Sequence, residues 1–454
     1  MALQTHAEEN RIVNQFMEQV QAKYPHEKEF LQAVHEVAKY VLPYEMSMPE
    51  YRDARVLWRL TEPDRAIMFR VVWYDDRGNV QVNRGFRVQW TNALGPYKGG
   101  VRFHPSVNLG IIKFLAFEQT FKNSLTGLPL GAAKGGSDFN PQGKSEDEIR
   151  RFCQAFMLEL HKHIGEGFDV PAGDIGVGSR EIGFMYGTLV KLRGYEPGAF
   201  TGKTLELGGS HLRPEATGYG LIYFAQEMLR HNLKEDLDGK TALISGSGNV
   251  AQFAAEKLIQ FDVKVLTLSD STGFVHIPDG LTKEQLEFVK KLKTKRGASL
   301  REFAEKFGLT FYEGKKPWSV PADLAFPCAT QNEITEDDAK ELVKNGCRLV
   351  AEGANMPSTP GAISVFLSNK VLFGPGKAAN AGGVAVSGLE MAQNAQRMQW
   401  SREEVDNKLQ DIMRNIHRQT VEFGKEGNTV NYIKGANIAG YDRVARALVN
   451  LGVI

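Results

Sequence analysis

Three lysines lie in glycine-rich or apolar stretches: Lys98 in PYKGGVRFHP, Lys122 in FEQTFKNSL and Lys134 in LPLGAAKGGSDF. Lysine normally keeps its ammonium group in water, and burying that group without a partner is costly. Several partly desolvated ammonium groups would suit an anionic small molecule, and one with a lowered pKa could act as an acid or base. The Gly-Gly pairs after Lys98 and Lys134 would let the backbone approach a ligand. One such lysine is ordinarily a solvated surface residue, but the three together predict a binding pocket.

A lone acid, Asp174, occupies a glycine-punctuated stretch, VPAGDIGVGSREIGFM. An isolated carboxylate between Gly173 and Gly176 could simply hold a turn. Beside a cluster of lysines it could instead carry protons during a reaction. The residues alone leave both interpretations open.

The stretch KTALISGSGNVAQFAAEKLIQFDVKVLTLSD combines a short apolar strand, a glycine-rich turn, a helix and a second strand. In such a unit Gly246 makes the tight turn, Gly248 lets a pyrophosphate approach the backbone, and Ala251 allows the helix to pack on the strand. The amino end of the helix then faces the phosphates. Because the acid Asp270 follows the second strand, the pattern predicts a dinucleotide site. The alternative is a purely structural turn.

Composition narrows the classes of protein. The chain has 454 residues, 42% hydrophobic and 24% charged, which is typical of a soluble globular protein of two or three domains. A net charge of +1 gives no indication of a nucleic-acid or membrane-surface partner. Cys153, Cys328 and Cys347 lack metal-type spacing, so we expect buried free thiols, a reducing compartment and no metal site. Without a signal-peptide pattern or a membrane-spanning apolar run, a cytoplasmic protein is expected.

The hydrophobic pattern changes along the chain. Helix-like spacing covers residues 7–42, alternation around Arg77-Gly78-Asn79 predicts a β-hairpin over 67–90, and helices are expected from about Ser106 and over 145–164. The Ser145 and Glu148 pair predicts a capping box. Beyond about residue 203, strands and helices alternate. The strands are expected near Thr241, Val263, Leu309, Ala322 and Arg348, and the helices over 215–231, 248–260, 282–294, 299–307 and 335–345.

This organisation predicts an α/β fold in three segments. Residues 1–202 would form an α/β domain, and residues 203–376 a Rossmann-type, doubly wound dinucleotide-binding domain. Residues 377–454, patterned as helix to the end, could pack back on the first domain. Ligands of a doubly wound sheet lie at the carboxyl ends of its strands, so SGSG, SDSTG, PCATQNE and AEGANMP are expected to contact the cofactor.

These stretches, in this order, resemble the hexameric glutamate dehydrogenases of bacteria and lower eukaryotes, in the glutamate, leucine, phenylalanine and valine dehydrogenase superfamily. The similarity covers nearly the whole chain, through PYKGGVRFHPSVN, KFLAFEQTFKNSLTGLPLGAAKGGSDF, VPAGDIGVGSREIGFM, RPEATGYG, SGSGNVAQ, PCATQNE, AEGANMP and GKAANAGGVAVSGLEMAQN. The chain departs from the family pattern at Ala132 and His211. A structural variation is the simpler interpretation of His211, and a catalytic role stays open.

The resemblance implies a role for each polar residue of the pocket. Lys134 would be the catalytic lysine, and Asp174 would be the carboxylate that moves protons. Lys98 with Ser387 would bind the side-chain carboxylate of glutamate, and Lys122 would bind its α-carboxylate. Hydride would leave Cα, and water activated by neutral Lys134 would add to the iminium, giving 2-oxoglutarate and ammonia. The residues implied to bind substrate are Lys98, Gln119, Lys122, Gly173, Asn380 and Ser387.

The resemblance also bears on the cofactor. An acid such as Asp270 usually bonds the ribose 2′-hydroxyl and favours NAD. Ser247 and Ser271, however, resemble residues of NADP-using relatives, and Lys293 and Arg296 lie where those relatives place cations for the 2′-phosphate. We therefore expect NADP to be preferred, with NAD possible, although KKLKTKR alone could be a solvated helix end. The implied cofactor contacts are Thr217, Gly246, Ser247, Gly248, Asn249, Val250, Asp270, Ser271, Lys293, Arg296, Ala329, Thr330 and Asn355.

Two other functions stay open. A branched-chain or aromatic amino-acid dehydrogenase would keep Lys134 and Asp174 but would need an apolar side-chain pocket, which Lys98 with Ser387 disfavours. A non-catalytic nucleotide-sensing protein of the same fold would be expected to lose Lys134 or Asp174. The resemblance further implies a homohexamer, with most subunit contacts made by the substrate-binding domain over residues 1–202.

Overall fold

A computed structural model describes residues 2–295 and 297–453 of the chain. The helices in this part are α1 (Ala2–Lys23), α2 (Lys28–Ser47), α3 (Pro49–Asp53), α4 (Val56–Arg59), α5 (Leu109–Leu125), α6 (Glu146–Leu160), α7 (Ser179–Arg193), α8 (Ala216–Asn232), α9 (Asn249–Gln260), α10 (Lys283–Lys293), α11 (Leu300–Phe307), α12 (Glu336–Lys344), α13 (Pro360–Ser368), α14 (Gly376–Ala379), α15 (Gly382–Gln396), α16 (Arg402–Gly424) and α17 (Tyr432–Leu451). The strands are β1 (Arg65–Tyr74), β2 (Val80–Thr91), β3 (Tyr97–Phe103), β4 (Ala132–Ser137), β5 (Asp169–Gly173), β6 (Thr241–Ile244), β7 (Lys264–Asp270), β8 (Gly273–His276), β9 (Thr310–Glu313), β10 (Leu324–Phe326), β11 (Leu349–Ala351), β12 (Leu372–Gly374), β13 (Lys425–Glu426) and β14 (Thr429–Val430).

Internal contacts divide the chain into two compact units. Unit 1 comprises Met1–Arg213, Val386–Val405 and Asn437–Ile454, and unit 2 comprises Pro214–Ala385 and Asp406–Ala436. These limits differ from the three segments predicted from the sequence, 1–202, 203–376 and 377–454. The first boundary falls after Arg213, and only two stretches of the C-terminal segment belong to unit 1.

Hydrogen bonds within each unit explain these differences. Residues after 202 stay in unit 1 because Gln393 Nε2 donates to Ser210 Oγ at 2.8 Å. Residues 406–436 belong to unit 2, where Tyr223 OH donates to Asp406 Oδ1 at 2.7 Å. The C-terminal segment is therefore shared between the two units, which its helical pattern alone did not predict.

Unit 1 contains a five-stranded sheet in the order β1-β2-β4-β3-β5. Strands β1, β2 and β4 pair antiparallel, whereas β3 runs parallel to both of its neighbours, β4 and β5. In this register Val101 of β3 lies between Gly135 of β4 and Gly173 of β5. Because the carboxyl ends of parallel strands meet at one edge, the last residues of β3, β4 and β5 are brought together.

Aromatic side chains anchor β3 in the core of unit 1. The ring of Phe103 lies 5.1 Å from that of Phe152 and 5.4 Å from that of Phe156, both on α6, between ring centroids. All three residues are at most 1% exposed. Burial of one such side chain contributes about 1.5 to 3 kcal/mol. This packing fixes the strand that carries Lys98.

The first glycine of each Gly-Gly pair lies close to a neighbouring strand. A Cβ on Gly99 would lie 1.6 Å from the carbonyl oxygen of Ala133, so glycine is required at this position. A Cβ on Gly135 would lie 3.0 Å from the carbonyl oxygen of Phe86 and 3.1 Å from Cδ of Arg87, which is a tight contact. That these glycines also let the backbone approach a ligand stays a prediction.

Unit 2 contains a seven-stranded sheet in the order β12-β11-β10-β6-β7-β8-β9. The strands from β12 to β7 are parallel, and β8 and β9 are added antiparallel at one edge. Helix α9 connects the neighbouring parallel strands β6 and β7. This arrangement confirms the predicted Rossmann-type sheet, with the glycine-rich turn at the carboxyl end of β6.

Most of the predicted elements are present, including the hairpin β1–β2 and the capping box of Ser145 and Glu148 on α6. The helix-like spacing over 7–42 belongs to two helices, α1 and α2, because Pro25 follows Tyr24 and disfavours helical geometry there. The C-terminal segment is interrupted by the β13–β14 hairpin at Gly427, whose φ is 60°. Strands β3, β4, β5, β8 and β12 and helix α13 were not predicted.

Candidate functional site

The predicted catalytic pair meets at the edge of the unit 1 sheet. Lys134 lies in the middle of β4, and Asp174 follows directly after β5. Lys134 Nζ is 3.4 Å from Asp174 Oδ2, and Arg102 Nε of the intervening strand donates to the same oxygen at 2.7 Å. One carboxylate oxygen is therefore shared by an ammonium and a guanidinium group. The parallel register of β4, β3 and β5 creates this arrangement.

The charges of this cluster set its protonation states. Burial alone would raise the pKa of Asp174, but Lys134 and Arg102 outweigh that effect and hold its pKa at about 2. Burial lowers the pKa of the Lys134 ammonium, and the cations Arg102 and Arg87 lower it further, against the attraction of Asp174. Near neutral pH the site thus combines an ionised carboxylate with a lysine that releases its proton more readily than usual.

Lys98 is 1% exposed, and two hydrogen bonds orient its ammonium group. Its Nζ donates to Val170 O at 3.0 Å and to Thr201 Oγ1 at 2.9 Å. Burial, followed by the nearby cations Arg213 and Arg87, lowers the pKa of Lys98 well below its ordinary value. An ammonium has three donors, so this geometry leaves one for a ligand, and an anionic ligand would favour the charged form.

Ser387, predicted to act with Lys98, lies on α15 and is 2% exposed. Its Oγ accepts from Arg213 Nε at 2.9 Å. Burial lowers the pKa of the Arg213 guanidinium, and the carboxylate of Glu390 opposes that effect. The Ser387 hydroxyl is therefore held by a half-buried cation. Lys98, Ser387 and Arg213 together supply two charges and a hydroxyl suited to a second carboxylate.

Lys122 and Gln119 lie on the last turns of α5. Burial, and then the charge of Lys134, lowers the pKa of Lys122 to about 8. Gln119 Nε2 donates to Asn123 Oδ1 at 2.6 Å, and Asn123 Nδ2 donates to Lys98 O at 3.1 Å. Helix α5 is thus tied to the backbone of β3. These bonds link the Lys122 helix to the strand of Lys98.

In unit 2 the turn after β6 has the geometry that a pyrophosphate requires. Gly246 has φ of 84°, and a Cβ there would lie 3.0 Å from Cys328 O. Helix α9 begins at Asn249 with no acid in its first turn, and Gly248 and Asn249 are exposed. The free N–H groups of a helix amino end favour an anion. Ser247, Gly248, Asn249 and Val250 therefore fit the phosphates of a dinucleotide.

Asp270 at the end of β7 is held entirely by protein donors. Its Oδ1 accepts from Thr272 N at 2.9 Å and from Thr272 Oγ1 at 2.6 Å. Its Oδ2 accepts from Leu300 N at 2.8 Å and from Lys293 Nζ at 3.1 Å. Burial alone would raise the pKa of Asp270, but these donors lower it. A carboxylate so engaged is poorly placed to accept a bond from a ribose hydroxyl.

The other predicted residues of unit 2 lie after strands β7, β10 and β11, in α8 and directly after α14. The backbone N–H groups of Ala329 and Thr330 donate to Glu333 Oε1 at 3.0 and 3.3 Å. Asn380 is buried, and its Nδ2 donates to Ala354 O at 3.0 Å and to Asn355 Oδ1 at 3.3 Å. Ser271 and Asn355 are exposed, and Thr217 is half-buried at the start of α8. Arg296 lies outside the described residues.

Two contributors were missed from the sequence. Arg102 lies in the quoted stretch PYKGGVRFHP, and Arg213 lies in RPEATGYG, but neither was singled out. Arg102 is four residues after Lys98 on one strand, so a search for further cations near the lysines would have found it. Arg213 offers no such signal, because its partner Ser387 is distant in sequence.

The sequence matches two family models and several known enzymes over most of its length. A model of the Glu/Leu/Phe/Val dehydrogenase dimerisation domain matches residues 63–191, and one of Glutamate/Leucine/Phenylalanine/Valine dehydrogenase matches residues 208–452. The NADP-specific glutamate dehydrogenase of Escherichia coli is 56% identical over 97% of this chain and 98% of its own length. The NAD-specific glutamate dehydrogenase of Bacteroides fragilis is 52% identical over 97% and 100%.

A crystal structure of Plasmodium falciparum glutamate dehydrogenase matches the fold with a TM-score of 0.95, at 52% identity, over 98% of this chain and 96% of that one. The family models together cover most of the sequence, and the relatives are more than half identical along nearly all of it. The chain therefore belongs to the Glu/Leu/Phe/Val dehydrogenase family, among its glutamate dehydrogenases.

Proposed function

We propose that this chain interconverts L-glutamate and 2-oxoglutarate plus ammonia, with a nicotinamide dinucleotide as the hydride carrier. The observation that carries the proposal is the set of buried Lys98 and Ser387 with half-buried Arg213 in unit 1. Leucine, valine and phenylalanine would leave these cations unpaired, and a buried polar site rejects such ligands. Glutamate, with its second carboxylate, satisfies them. The substrate-binding set also includes Gln119, Lys122, Gly173 and Asn380.

Lys134 and Asp174 are the catalytic residues of this proposal. A nicotinamide dinucleotide held at the turn after β6 would supply the hydride acceptor, and loss of hydride from Cα of glutamate would leave an iminium ion. Neutral Lys134 removes a proton from the water that adds to that carbon, and Asp174 passes protons to and from the departing amine. The lowered pKa of Lys134 supports the neutral form that a base requires. Arg102 keeps Asp174 ionised and in place.

Unit 2 binds the cofactor in this proposal, and NADP is preferred. The carboxylate of Asp270 is neutralised by Lys293 and saturated by Thr272 and Leu300 N, so it opposes a 2′-phosphate weakly. Lys293, with Arg296, would supply the cationic partners of that phosphate. NAD binding stays possible, since Asp270 could accept the ribose hydroxyl once its donors rearrange. Thr217, Ala329, Thr330 and Asn355 complete the set.

Unit 1 also carries the surface proposed for assembly into a homohexamer. On the outward face of the hairpin β1–β2, Val72 lies opposite Val82 and Tyr74 opposite Val80. These side chains are 46 to 62% exposed and form an apolar patch that a second copy of the chain would cover.

Within residues 2–295 and 297–453, no helix is long and apolar enough to cross a bilayer. A cytoplasmic location is proposed on the reduced, buried thiols of Cys153, Cys328 and Cys347.

The direct test is the initial rate of 2-oxoglutarate amination with NADPH and with NADH in parallel. We expect oxidation of the cofactor only when both ammonium and 2-oxoglutarate are present. We also expect kcat/KM to be higher for NADPH than for NADH. Faster amination of a branched-chain 2-oxo acid than of 2-oxoglutarate would contradict the substrate assignment. A higher kcat/KM for NADH would contradict only the cofactor preference.

A further inference from the structure

A buried ion pair in unit 1 takes no part in the chemistry described so far. Lys203 and Glu390 are both fully buried, with Lys203 Nζ 2.8 Å from Glu390 Oε1. Taking two charges out of water is costly, and such a pair can often be replaced by apolar side chains without loss of stability. Stability alone is therefore a weak reason for its presence.

The two side chains fasten one loop to helix α15. Lys203 Nζ donates to Phe200 O and also to Asn394 Oδ1, the latter at 2.8 Å. Glu390 Oε2 accepts from Gly202 N at 2.9 Å. The loop over residues 200–203 is therefore held to α15 at Gly202 and Lys203, and Lys203 closes the loop on Phe200 O, through charged groups that are shielded from solvent.

This loop connects the ion pair to the substrate pocket through Thr201. Thr201 N donates to Pro171 O at 3.0 Å, and Thr201 Oγ1 accepts from Lys98 Nζ at 2.9 Å. Glu390 also lies one helical turn after Ser387 on α15. A shift of the loop would thus move the acceptor that aims Lys98, relative to the helix that carries Ser387.

We propose that Glu390, paired with Lys203, is a positioning residue for recognition of the substrate's side-chain carboxylate, because it fixes Thr201 and thereby orients Lys98. The inference rests on the proposed function, in which Lys98 binds that carboxylate. Glu390 also places a negative charge near Lys98 and Arg213, which favours their charged forms. The pair therefore acts on the choice of amino acid, and not on proton transfer at Lys134.

The test is the double variant Lys203→Met with Glu390→Met in the full-length enzyme, since it leaves no unpaired buried charge. We expect KM for L-glutamate to rise about tenfold or more, while kcat for glutamate and kcat/KM for L-norvaline change less than about twofold. The matched control is Lys113→Met with Glu27→Met, which removes another ion pair of unit 1. That control should leave the ratio of kcat/KM for glutamate to norvaline unchanged.

A second variant keeps the test decisive if the double variant folds poorly. Thr201→Val removes only the hydroxyl that accepts the hydrogen bond from Lys98. We expect it to lower the ratio of kcat/KM for glutamate to norvaline as the double variant does. Combining Thr201→Val with the double variant should lower that ratio no further. An unchanged glutamate-to-norvaline ratio in a folded double variant, or in Thr201→Val, would overturn the proposal. Failure of the proposed function is distinguishable, because the unmodified enzyme would then prefer norvaline to glutamate.

Discussion

At the scale of single residues, the cationic side chains of the site outnumber the carboxylates that neutralise them. Asp174 Oδ2 is approached by both Arg102 and Lys134, while Lys98 and Arg213 have Glu390 as their buried counter-charge. Each carboxylate group of glutamate would complete this balance on binding. The pocket therefore carries its positive charges before a ligand binds. This arrangement favours a ligand with two carboxylate groups.

Arg102 is expected to set the pH at which the enzyme becomes active. Its positive charge lowers the pKa of Lys134, together with burial and Arg87, and Lys122 is a further nearby cation. Replacing Arg102 with Met removes that charge, so the pKa of Lys134 should rise, and neutral Lys134 should form only at higher pH. The alkaline-rising limb of kcat/KM for glutamate deamination should therefore move to higher pH. Arg102→Lys, which keeps the charge, should leave the limb near its original position.

A pH profile for Arg102→Met that superimposes on that of the unmodified enzyme would show that this guanidinium does not tune the base. Loss of activity without a shift of the limb would point to a purely geometric role.

Lys293 is the residue whose replacement should change cofactor use. Lys293→Ala removes a cation from the end of α10 and leaves Asp270 with one fewer donor. We expect KM for NADPH to rise roughly tenfold, the effect of about 1.4 kcal/mol, since charge-assisted bonds contribute on that order. KM for NADH should change little. Lys291→Ala on the same helix is the control, and equal increases for both cofactors would count against the assignment.

At the scale of elements, the helices, strands and turns that depend on local sequence pattern were predicted correctly. The hairpin β1–β2, the capped start of α6 and the β6–α9–β7 unit all follow from periodicity and turn residues. Contacts between distant segments were not predictable in this way. The partners of Ser387 and Lys98, which are Arg213 and Thr201, are set by tertiary packing. The saturation of Asp270 by Lys293 and Leu300 N likewise depends on how α10 and α11 meet the end of β7.

A buried histidine joins α8, α16 and α17 in unit 2 and should make stability depend on pH. Asn232 Nδ2 donates to Tyr432 OH at 2.7 Å, and Tyr432 OH lies 2.9 Å from His417 Nε2. Burial, followed by the charge of His231, lowers the pKa of His417 from 6.5 to about 3. The stability that neutral His417 contributes is therefore present above pH 6.5 and is lost as pH falls toward 3.

The measurement is Tm between pH 7.5 and 5 for the unmodified protein and for His417→Phe. Each pH unit below the unfolded pKa costs about 1.4 kcal/mol, so the unmodified protein should lose on the order of 2 kcal/mol over this range. The fall in Tm should be smaller for His417→Phe. Parallel curves would contradict the buried neutral histidine, and His26→Phe, at an exposed position, is the control.

At the scale of the whole molecule, assembly should depend on the outward face of β1–β2. We expect a mass six times that of one chain by light scattering. Val72→Lys with Val82→Lys would place two charges opposite each other in the apolar patch, so a smaller species should result. Leu158→Lys, at an exposed position on α6, should leave the mass unchanged. A monomer at micromolar concentration for the unmodified protein would refute the hexamer.

Lys134 is the proposed base of this glutamate dehydrogenase, so kcat of Lys134→Ala is the decisive measurement. Acid–base groups typically contribute about a hundred- to ten-thousand-fold, so kcat for glutamate should fall by that factor while circular dichroism and Tm show a folded protein. Lys28→Ala, at a surface position, should retain full activity. A folded Lys134→Ala enzyme that keeps most of its kcat would show that Lys134 is not the base.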